Sequence, residues 1–155
     1  MTRVLFVCLG NICRSPSAEA LFRSECRRRG LAYAHDSAGT GAWHVGEAPY
    51  APMQKAALAR GIDMSDLRAR QVRTSDFYEF DLIIGMDASN MSDLGRLAPT
   101  DAVAKIRHMG SFLTKTQTDN KDVPDPYYTR NFDATLDMLE DAMPGLFAYL
   151  EQIAA

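Results

Sequence analysis

The chain has 155 residues, of which 46% are hydrophobic and 24% charged, and its formal net charge is −3. That length fits one domain with a real core, and the charge argues against a nucleic-acid partner, which would need a basic stripe. No stretch approaches the ~18 apolar residues of a membrane span. Because the three cysteines are an odd number, they argue against a secreted disulfide framework. We therefore expect a cytoplasmic protein that binds neither membranes nor nucleic acid.

Strand and helix patterns alternate along the first part of the chain. Residues 4–7 are a short apolar run, which is typical of a strand buried on both faces. Ser15 is then a candidate N-cap and Pro16 a candidate first helical residue, with Gly30 as the stop. A second strand is predicted around 32–37.

The second half of the chain continues the alternation. Its predicted elements are a helix over 52–60 that Gly61 ends, a strand over 82–86, a helix that Asp87 and Ser89 cap, and a weaker strand over 105–109. A helical pattern of apolar residues then runs over 136–153. Because Pro144 and Gly145 interrupt this last pattern, we expect a kink or a break near 140–145.

This alternation predicts an α/β fold: a single doubly wound domain over 1–155, with a parallel sheet and helices on both of its faces. In such folds ligands bind beyond the carboxyl ends of the strands. Cys8, Ser37 and Asp87 each follow a predicted strand, so we expect them at one edge of the sheet.

The residues from Cys8 to Arg14 read CLGNICR, a C-x5-R pattern between a buried strand and a helix N-terminus. Backbone N–H groups can converge in such a loop, and the helix dipole favours an anion there. Arg14 adds a planar fork that suits phosphate oxygens. The same groups favour the thiolate form of Cys8, so a nucleophile and a phosphate would share one site, as phosphoryl transfer requires.

Other interpretations of the two loop cysteines are a buried structural role or metal binding. No CxxC pair is present, and Cys8, Cys13 and three scattered histidines do not make a zinc site. The loop also lacks the second glycine and the lysine of a Walker nucleotide-binding loop. We therefore expect no metal and no cofactor.

Four motifs together resemble those of the low-molecular-weight protein tyrosine phosphatases. They are CLGNICRSPSAEALF at 8–22, DSAGT at 36–40, MDASN at 86–90 and DPYY at 125–128. The resemblance implies a flavodoxin-like sheet of four parallel strands and a metal-independent hydrolase. Its substrates would be phosphotyrosine proteins or small aryl phosphates, and its product inorganic phosphate. The resemblance is compatible with a monomer or a weak homodimer.

The resemblance also implies a role for each member of a catalytic set. Cys8 attacks the phosphorus to form a cysteinyl-phosphate, and Arg14 binds the substrate and stabilises the transition state. Asp125 protonates the leaving phenolate and then acts as a base on water. The prolines on either side of Asp125 suit a loop that presents one carboxyl group. Asp87 is the rival acid, although its capping position is a sufficient structural reason for it.

The resemblance also implies two groups of further residues, which support the loop or contact the substrate. Asn11, Ser15 and Ser37 would support the loop, and Ser15 would donate a hydrogen bond to the Cys8 thiolate. The expected substrate contacts are Leu9, Gly10, Asn11, Ile12, Cys13, Ser15, Trp43, Tyr127 and Tyr128. The aromatic members would hold an aryl ring, and the alternative is that they are half-exposed packing residues.

Cys8 and Cys13 are five positions apart and could form a redox pair. Oxidation of Cys8 would give a sulfenic acid, which Cys13 would trap as a disulfide. The alternative is that Cys13 is a small buried packing residue.

Three alternative functions fit the sequence less well than a tyrosine phosphatase. Arsenate reductases with the same loop need further cysteines after the third strand, and residues 76–105 contain none. Phosphoarginine phosphatases resemble the chain but carry threonine at the Ile12 position. A phosphotyrosine-binding module built on an inactive phosphatase would lack Cys8, Arg14 or Asp125, and all three are present.

Overall fold

The computed structural model describes residues 2–118 and 121–154, and a four-stranded sheet lies at its centre. All neighbouring strands are parallel, in the order β2-β1-β3-β4, so the predicted doubly wound, flavodoxin-like α/β fold is confirmed. The strands are β1 (Arg3–Cys8), β2 (Ala34–Gly39), β3 (Leu82–Gly85) and β4 (Lys105–His108).

Helices connect the strands and complete the chain. They are α1 (Arg14–Arg29), α2 (Ala51–Leu58), α3 (Asp76–Glu79), α4 (Ala88–Leu97), a 3₁₀ turn (Met109–Phe112), α5 (Pro126–Thr129) and α6 (Phe132–Ala154). The sequence did not predict α3, α5 or the 3₁₀ turn, because one helical turn is too short for an apolar period to show. Within the described ranges, no helix is both long enough and apolar enough to span a membrane.

Strand β1 has buried side chains on both of its faces. Val4 and Phe6 pack in the larger core cluster with α1, α2 and α6, whereas Leu5 and Val7 belong to a second cluster with α3 and α4. Successive side chains of a strand point to opposite faces of the sheet. The unbroken apolar run at 4–7 is therefore the consequence of helices covering both faces, as predicted.

Strand β2 and helix α1 begin at positions other than those predicted. The pairing of Arg3 with Ala34 and of Cys8 with Gly39 sets β2 two residues later than expected. Helix α1 has Cys13, not Ser15, at its N-cap position, and no side chain caps it. The Ser15 hydroxyl is unavailable as a cap because it forms hydrogen bonds within the C-x5-R loop.

A kink or a break was predicted near 140–145, and the break is absent, because helix α6 runs without interruption through Pro144. The buried apolar face of this helix, which includes Leu139 and Leu146, continues on both sides of the proline. Gly145 has a packing role. A Cβ at this position would lie 2.7 Å from the Phe112 carbonyl oxygen, so glycine allows α6 to approach the 3₁₀ turn.

Replacing Gly145 with alanine is predicted to destabilise the protein. In an open helix position the exchange gains up to ~1 kcal/mol, but overpacking against the Phe112 backbone costs about 1–3 kcal/mol. We expect Gly145→Ala to lower the midpoint of urea unfolding. Gly95→Ala is the matched control, since a Cβ at this helical glycine meets nothing within 4 Å and should leave the midpoint unchanged or raise it. A Gly145→Ala variant as stable as Gly95→Ala would contradict this account of the packing.

Candidate active site

The C-x5-R loop (residues 8–14) joins the carboxyl end of β1 to α1. It lies where the strand order diverges, because β2 and β3 flank β1 on opposite sides, and such points are the usual ligand sites of open α/β sheets. Cys8 is 2% exposed. Its Sγ accepts a hydrogen bond from the Asn11 backbone N–H at 3.3 Å and lies 3.0 Å from the Ser15 hydroxyl oxygen.

Asn11 holds the curled loop together. Its φ of 57° is left-handed, a conformation that asparagine tolerates better than most residues. The side-chain amide nitrogen donates to the hydroxyl oxygens of Ser15 at 2.7 Å and Ser37 at 3.1 Å. The amide oxygen accepts from the Arg70 backbone N–H at 3.0 Å. The three residues expected to support the loop are thus in direct contact.

Two residues that the sequence reading missed extend this network away from the thiol. The Ser37 hydroxyl donates to Glu19 Oε1 at 2.9 Å, and Glu19 Oε2 lies 2.8 Å from His35 Nδ1. Glu19 is 4% exposed, so its carboxylate needs these partners. The sequence could have indicated Glu19, because it follows Ser15 by four residues and therefore lies on the same face of α1.

An ion pair between the half-buried Arg70 and a buried carboxylate holds the segment whose backbone binds Asn11. The Arg70 guanidinium donates to both oxygens of Asp76, at 3.0 and 3.1 Å, and to Asp36 at 3.0 Å. Asp76 is fully buried, and a bidentate arginine compensates the loss of its hydration. Nothing in the local sequence pattern indicated this pair.

The Arg14 side chain is 2% exposed and is held along one edge. Its Nη1 donates to Asp87 at 2.6 Å and to the Val123 carbonyl oxygen at 2.9 Å, while Nη2 reaches Asp125 only at 3.4 Å. Among residues 2–118 and 121–154, the buried Nε has no hydrogen-bond partner. Burial opposes the charge, but Cys8, Asp87 and Asp125 raise the Arg14 pKa above its ordinary value. The Nε–Nη2 edge of a permanent cation can therefore receive two oxygens of an anion.

Asp87 and Asp125, the two candidate acids, differ in the hydrogen bonds that their carboxylate oxygens accept. Asp87 caps α4, as predicted, by accepting from the Asn90 backbone N–H at 2.8 Å, and its other oxygen binds Arg14. Ser89, which was predicted to share this cap, instead lies inside the helix. Asp125 accepts from the Tyr127 backbone N–H at 3.0 Å through Oδ1, and its second oxygen has, among the residues that the structure describes, only the long contact to Arg14. Asp125 thus keeps an oxygen for another partner, whereas Asp87 does not.

A pocket of about 220 Å³ opens over this loop. It is lined by Cys8, Leu9, Gly10, Ile12, Cys13, Arg14, Trp43, His44, Asp125, Tyr127 and Tyr128. Of the predicted contact residues, only Asn11 and Ser15 do not line it, because their side chains lie beneath the loop in the hydrogen-bond network. Trp43 and Tyr128 are 73% and 74% exposed, so they form a rim, and the sequence reading missed His44.

Comparison with known proteins identifies the family. The sequence from residue 3 to residue 154 matches the family described as low molecular weight phosphotyrosine protein phosphatase. The chain belongs to this family. It is therefore a phosphoric monoester hydrolase of the protein-tyrosine-phosphatase class, and the resemblance seen in the motifs is confirmed.

Two tyrosine phosphatases similar to this chain support the assignment, and a third similar protein is named an arginine phosphatase. The low molecular weight protein-tyrosine-phosphatase YfkJ of Bacillus subtilis is 40% identical over 154 residues, which cover 98% of this chain and 97% of the relative. A protein tyrosine phosphatase from Entamoeba histolytica shares the fold with a TM-score of 0.92, 40% identity and full coverage of both chains. Drosophila arginine phosphatase has a TM-score of 0.88 and 31% identity, covering 97% of this chain and 98% of its own.

Cys13, the second cysteine of the C-x5-R loop, has a thiol that resists ionisation. Burial raises the pKa of Cys13 to about 12, and the charges of Asp125 and Cys8 act in the same direction. Cys13 is therefore a protonated thiol at neutral pH. Within the described parts of the chain, no three His, Cys, Asp or Glu side chains are grouped as metal ligands.

Ser37→Ala is predicted to slow the phosphatase without unfolding it. The variant loses the hydroxyl that links Asn11 to Glu19, so the loop is less well positioned, and we expect kcat to fall about tenfold, since small misplacements cost rate steeply. Ser111→Ala is the control, because this exposed hydroxyl donates to the His108 carbonyl oxygen outside the network. Equal kcat in the two variants, with both folded by circular dichroism, would contradict a positioning role for Ser37.

Proposed function

We propose that this phosphatase hydrolyses phosphotyrosine in proteins and other aryl phosphate monoesters through a cysteinyl-phosphate intermediate, releasing inorganic phosphate. The observation that carries the proposal is the Nε–Nη2 edge of Arg14 beside Cys8 in one pocket. Among the described residues its Nε has no hydrogen-bond partner, and its Nη2 has the long 3.4 Å contact to Asp125. A phosphoryl group fits there because a nucleophile and a bidentate cation face the same space. The related Entamoeba protein holds Hepes, a sulfonate, in its active site, which is consistent with a site for oxyanions.

In the first step, Cys8 Sγ attacks the phosphorus and the bond to the aryl oxygen breaks. The developing charge on the equatorial oxygens is stabilised by Arg14 and by the backbone N–H groups of the loop. The Ser15 hydroxyl and the Asn11 N–H, both near Sγ, stabilise the thiolate before attack and again when it leaves.

Asp125 supplies and removes the proton. In the first step its carboxylic acid protonates the departing phenolate. In the second step the carboxylate takes a proton from water, the water oxygen attacks the cysteinyl-phosphate, and the S–P bond breaks to release phosphate and the Cys8 thiolate. The backbone N–H of Tyr127 holds one oxygen of Asp125, which leaves the other for this exchange.

Aromatic side chains favour aryl over alkyl phosphates. Trp43, Tyr127 and Tyr128 surround the mouth of the pocket and Ile12 contributes apolar surface to its wall, so a phenyl ring can be held between them. A phosphoserine side chain is too short to make these contacts. Because Arg14 and the loop supply the positive charge, we propose that catalysis needs no metal and that a chelator leaves the rate unchanged.

Cys8→Ser is predicted to abolish hydrolysis of p-nitrophenyl phosphate while retaining the binding of inorganic phosphate. The substitution removes the nucleophile, but the Arg14 edge and the loop N–H groups remain. Steady-state assays and phosphate-binding calorimetry would measure the two effects. Rapid acid quenching with labelled substrate should leave phosphate on Cys8 of the wild-type protein. Turnover by a pure Cys8→Ser preparation above background would contradict covalent catalysis.

Asp125→Asn is predicted to lower kcat/KM by about 100- to 10,000-fold for substrates with poor leaving groups, since this is the usual contribution of a general acid. For aryl phosphates with good leaving groups the loss should be much smaller, because such phenolates depart without a proton.

Asp87→Asn is the matched comparison, since it weakens the hold on Arg14 without removing the proposed acid. We expect it to lower kcat/KM by a similar factor for every leaving group. A dependence on the leaving group in Asp87→Asn, and none in Asp125→Asn, would assign the acid to Asp87.

We also propose that Cys13 protects Cys8 from irreversible oxidation. Peroxide transfers an oxygen to the Cys8 thiolate to give a sulfenic acid. The Cys13 sulfur then attacks the Cys8 sulfur, the S–O bond breaks, and the thiol proton of Cys13 passes to the departing hydroxide, so that water leaves and the disulfide forms. A dithiol reductant restores both thiols.

A brief peroxide pulse tests this protection. Wild type and Cys13→Ser are predicted to lose activity at similar rates, because Cys8 reacts first in both. Dithiothreitol should restore most of the wild-type activity and much less of the activity of Cys13→Ser, in which further oxidation is not intercepted. The same recovery in both proteins would make Cys13 a packing residue.

A further inference from the structure

Residues 121–125, which we call the Asp125 segment, place the proposed acid at the edge of the active-site pocket. The segment meets the sheet at Val123, whose backbone N–H donates to the Met86 carbonyl oxygen at 2.9 Å. The Val123 carbonyl oxygen accepts from Arg14 Nη1, also at 2.9 Å. Pro124 has no N–H to donate. The position of Asp125 therefore depends on how residues 121–123 are attached.

The Asp122 side chain attaches the segment to the start of α4. Its Oδ1 accepts a hydrogen bond from the Ala88 backbone N–H at 3.0 Å. Ala88 is the first residue of α4, and the first N–H groups of a helix have no partner within the helix. The preceding residue is Asp87, which binds Arg14. Asp122 thus joins the Asp125 segment to the element that orients the Arg14 guanidinium.

His108, the last residue of β4, contacts the same carboxylate. Its Nε2 lies 3.2 Å from Asp122 Oδ1 and 3.3 Å from the Met86 carbonyl oxygen. Because both of these oxygens are acceptors, Nε2 is the ring nitrogen that carries a proton. The imidazole therefore lies between the end of β3 and the Asp125 segment, and it links both of them to β4.

The backbone at the start of the Asp125 segment is constrained as well. Lys121 has a φ of 60°, in the left-handed region that a lysine rarely adopts. It packs so closely on the 3₁₀ turn that a Cβ at Gly110 would overlap the Lys121 carbonyl oxygen. A strained conformation of this kind persists only where the surrounding contacts hold it. The contacts of Asp122 and His108 directly follow this strained residue and contribute to that hold.

Loss of these contacts would affect Asp125 more than Arg14. Arg14 keeps its 2.6 Å hydrogen bond to Asp87 whatever the Asp125 segment does. The Asp125 side chain accepts its 3.0 Å hydrogen bond from Tyr127, which belongs to the same stretch of chain and moves with it. Its contact with Arg14 is 3.4 Å long. The attachment of residues 121–123 therefore decides where the Asp125 carboxyl group lies.

We propose that Asp122 and His108 are positioning residues that hold Asp125 within reach of the leaving-group oxygen. A general acid must come within about 2.6–3.2 Å of the atom that it protonates, and a small displacement costs rate steeply. Neither Asp122 nor His108 is among the described residues that line the pocket, so both act through Asp125. This inference rests on the function proposed above and adds two residues to its mechanism.

A series of aryl phosphates with different leaving groups tests the inference. Asp122→Ala is expected to lower kcat/KM about tenfold for phenyl phosphate, whose phenolate needs a proton to depart, because the acid is displaced. For p-nitrophenyl phosphate, a good leaving group, the loss should be about twofold or less. A residue with a merely structural role would change both rates by the same factor.

Conservative variants should rescue the rate. Asp122→Asn keeps a side-chain oxygen that can accept from the Ala88 N–H, and we expect it to retain most of the wild-type kcat/KM. His108→Ala should show the same dependence on the leaving group as Asp122→Ala. His108→Gln retains an N–H donor and should largely restore the rate.

Asp63→Ala is the matched control. This exposed carboxylate lies between α2 and α3 and, like Asp122, accepts from a backbone N–H, that of Ser65 at 2.9 Å. It should keep wild-type rates with every leaving group. Circular dichroism checks that each variant is folded, and if Asp122→Ala is not, His108→Ala and His108→Gln provide the same comparison.

A double variant asks whether Asp122 acts through Asp125. In Asp122→Ala combined with Asp125→Asn, the acid is already absent and nothing remains to be positioned. We therefore expect the double variant to hydrolyse phenyl phosphate at the rate of Asp125→Asn alone, since residues that act as a unit are not additive.

The outcomes separate this inference from the proposed function. Wild-type rates in folded Asp122→Ala, an equal loss for all leaving groups, or a further loss in the double variant overturns the positioning role and leaves the proposed function standing. Asp125→Asn is assayed in parallel. If its loss does not depend on the leaving group, Asp125 is not the acid, and the proposed mechanism and this inference fail together.

Discussion

The hydrogen bonds of the Asn11 side chain are the constraint on which the site depends. A loop whose N–H groups face an anion cannot pair those groups with its own carbonyls, so it must be held from outside. Asn11 provides this support, since it accepts the left-handed turn and binds Ser15, Ser37 and the backbone of Arg70. These partners belong to α1, β2 and the segment before α3, so the loop is fixed from three directions.

The buried charge of Arg14 links the chemistry to the fold. A guanidinium with so little exposure needs a carboxylate partner, and Asp87 provides it from the end of β3. The other oxygen of Asp87 caps α4, so one carboxylate both begins a helix and orients a cation. Because Nη1 of Arg14 already donates to Asp87 and to the Val123 carbonyl oxygen, the Nε–Nη2 edge is the one that faces the pocket.

The proposed nucleophile and the proposed specificity residues lie on parts of the chain that differ in packing. Cys8 and Arg14 lie between a central strand and a long helix, where packing and hydrogen bonds surround them. Asp125, Tyr127 and Tyr128 lie on or beside α5, a four-residue helix. In the proposed mechanism the groups that bind phosphate are therefore held by the core, whereas the proposed acid and the aromatic contacts lie on a short surface segment.

The sequence by itself determined those features that depend on near neighbours. The apolar runs of β1 and β3, the C-x5-R loop, the Gly30 stop and the Asp87 cap all have local signatures, and the alternation of strands and helices placed Cys8 and Asp87 at one edge. Only the tertiary structure decided the contacts across long separations. Arg14 and Asp87 are 73 residues apart and Glu19 and Ser37 are 18 apart, and no local period encodes such pairs. The continuity of α6 was decided in the same way, because the packing of its buried face outweighs the local preference of Pro144 to end a helix.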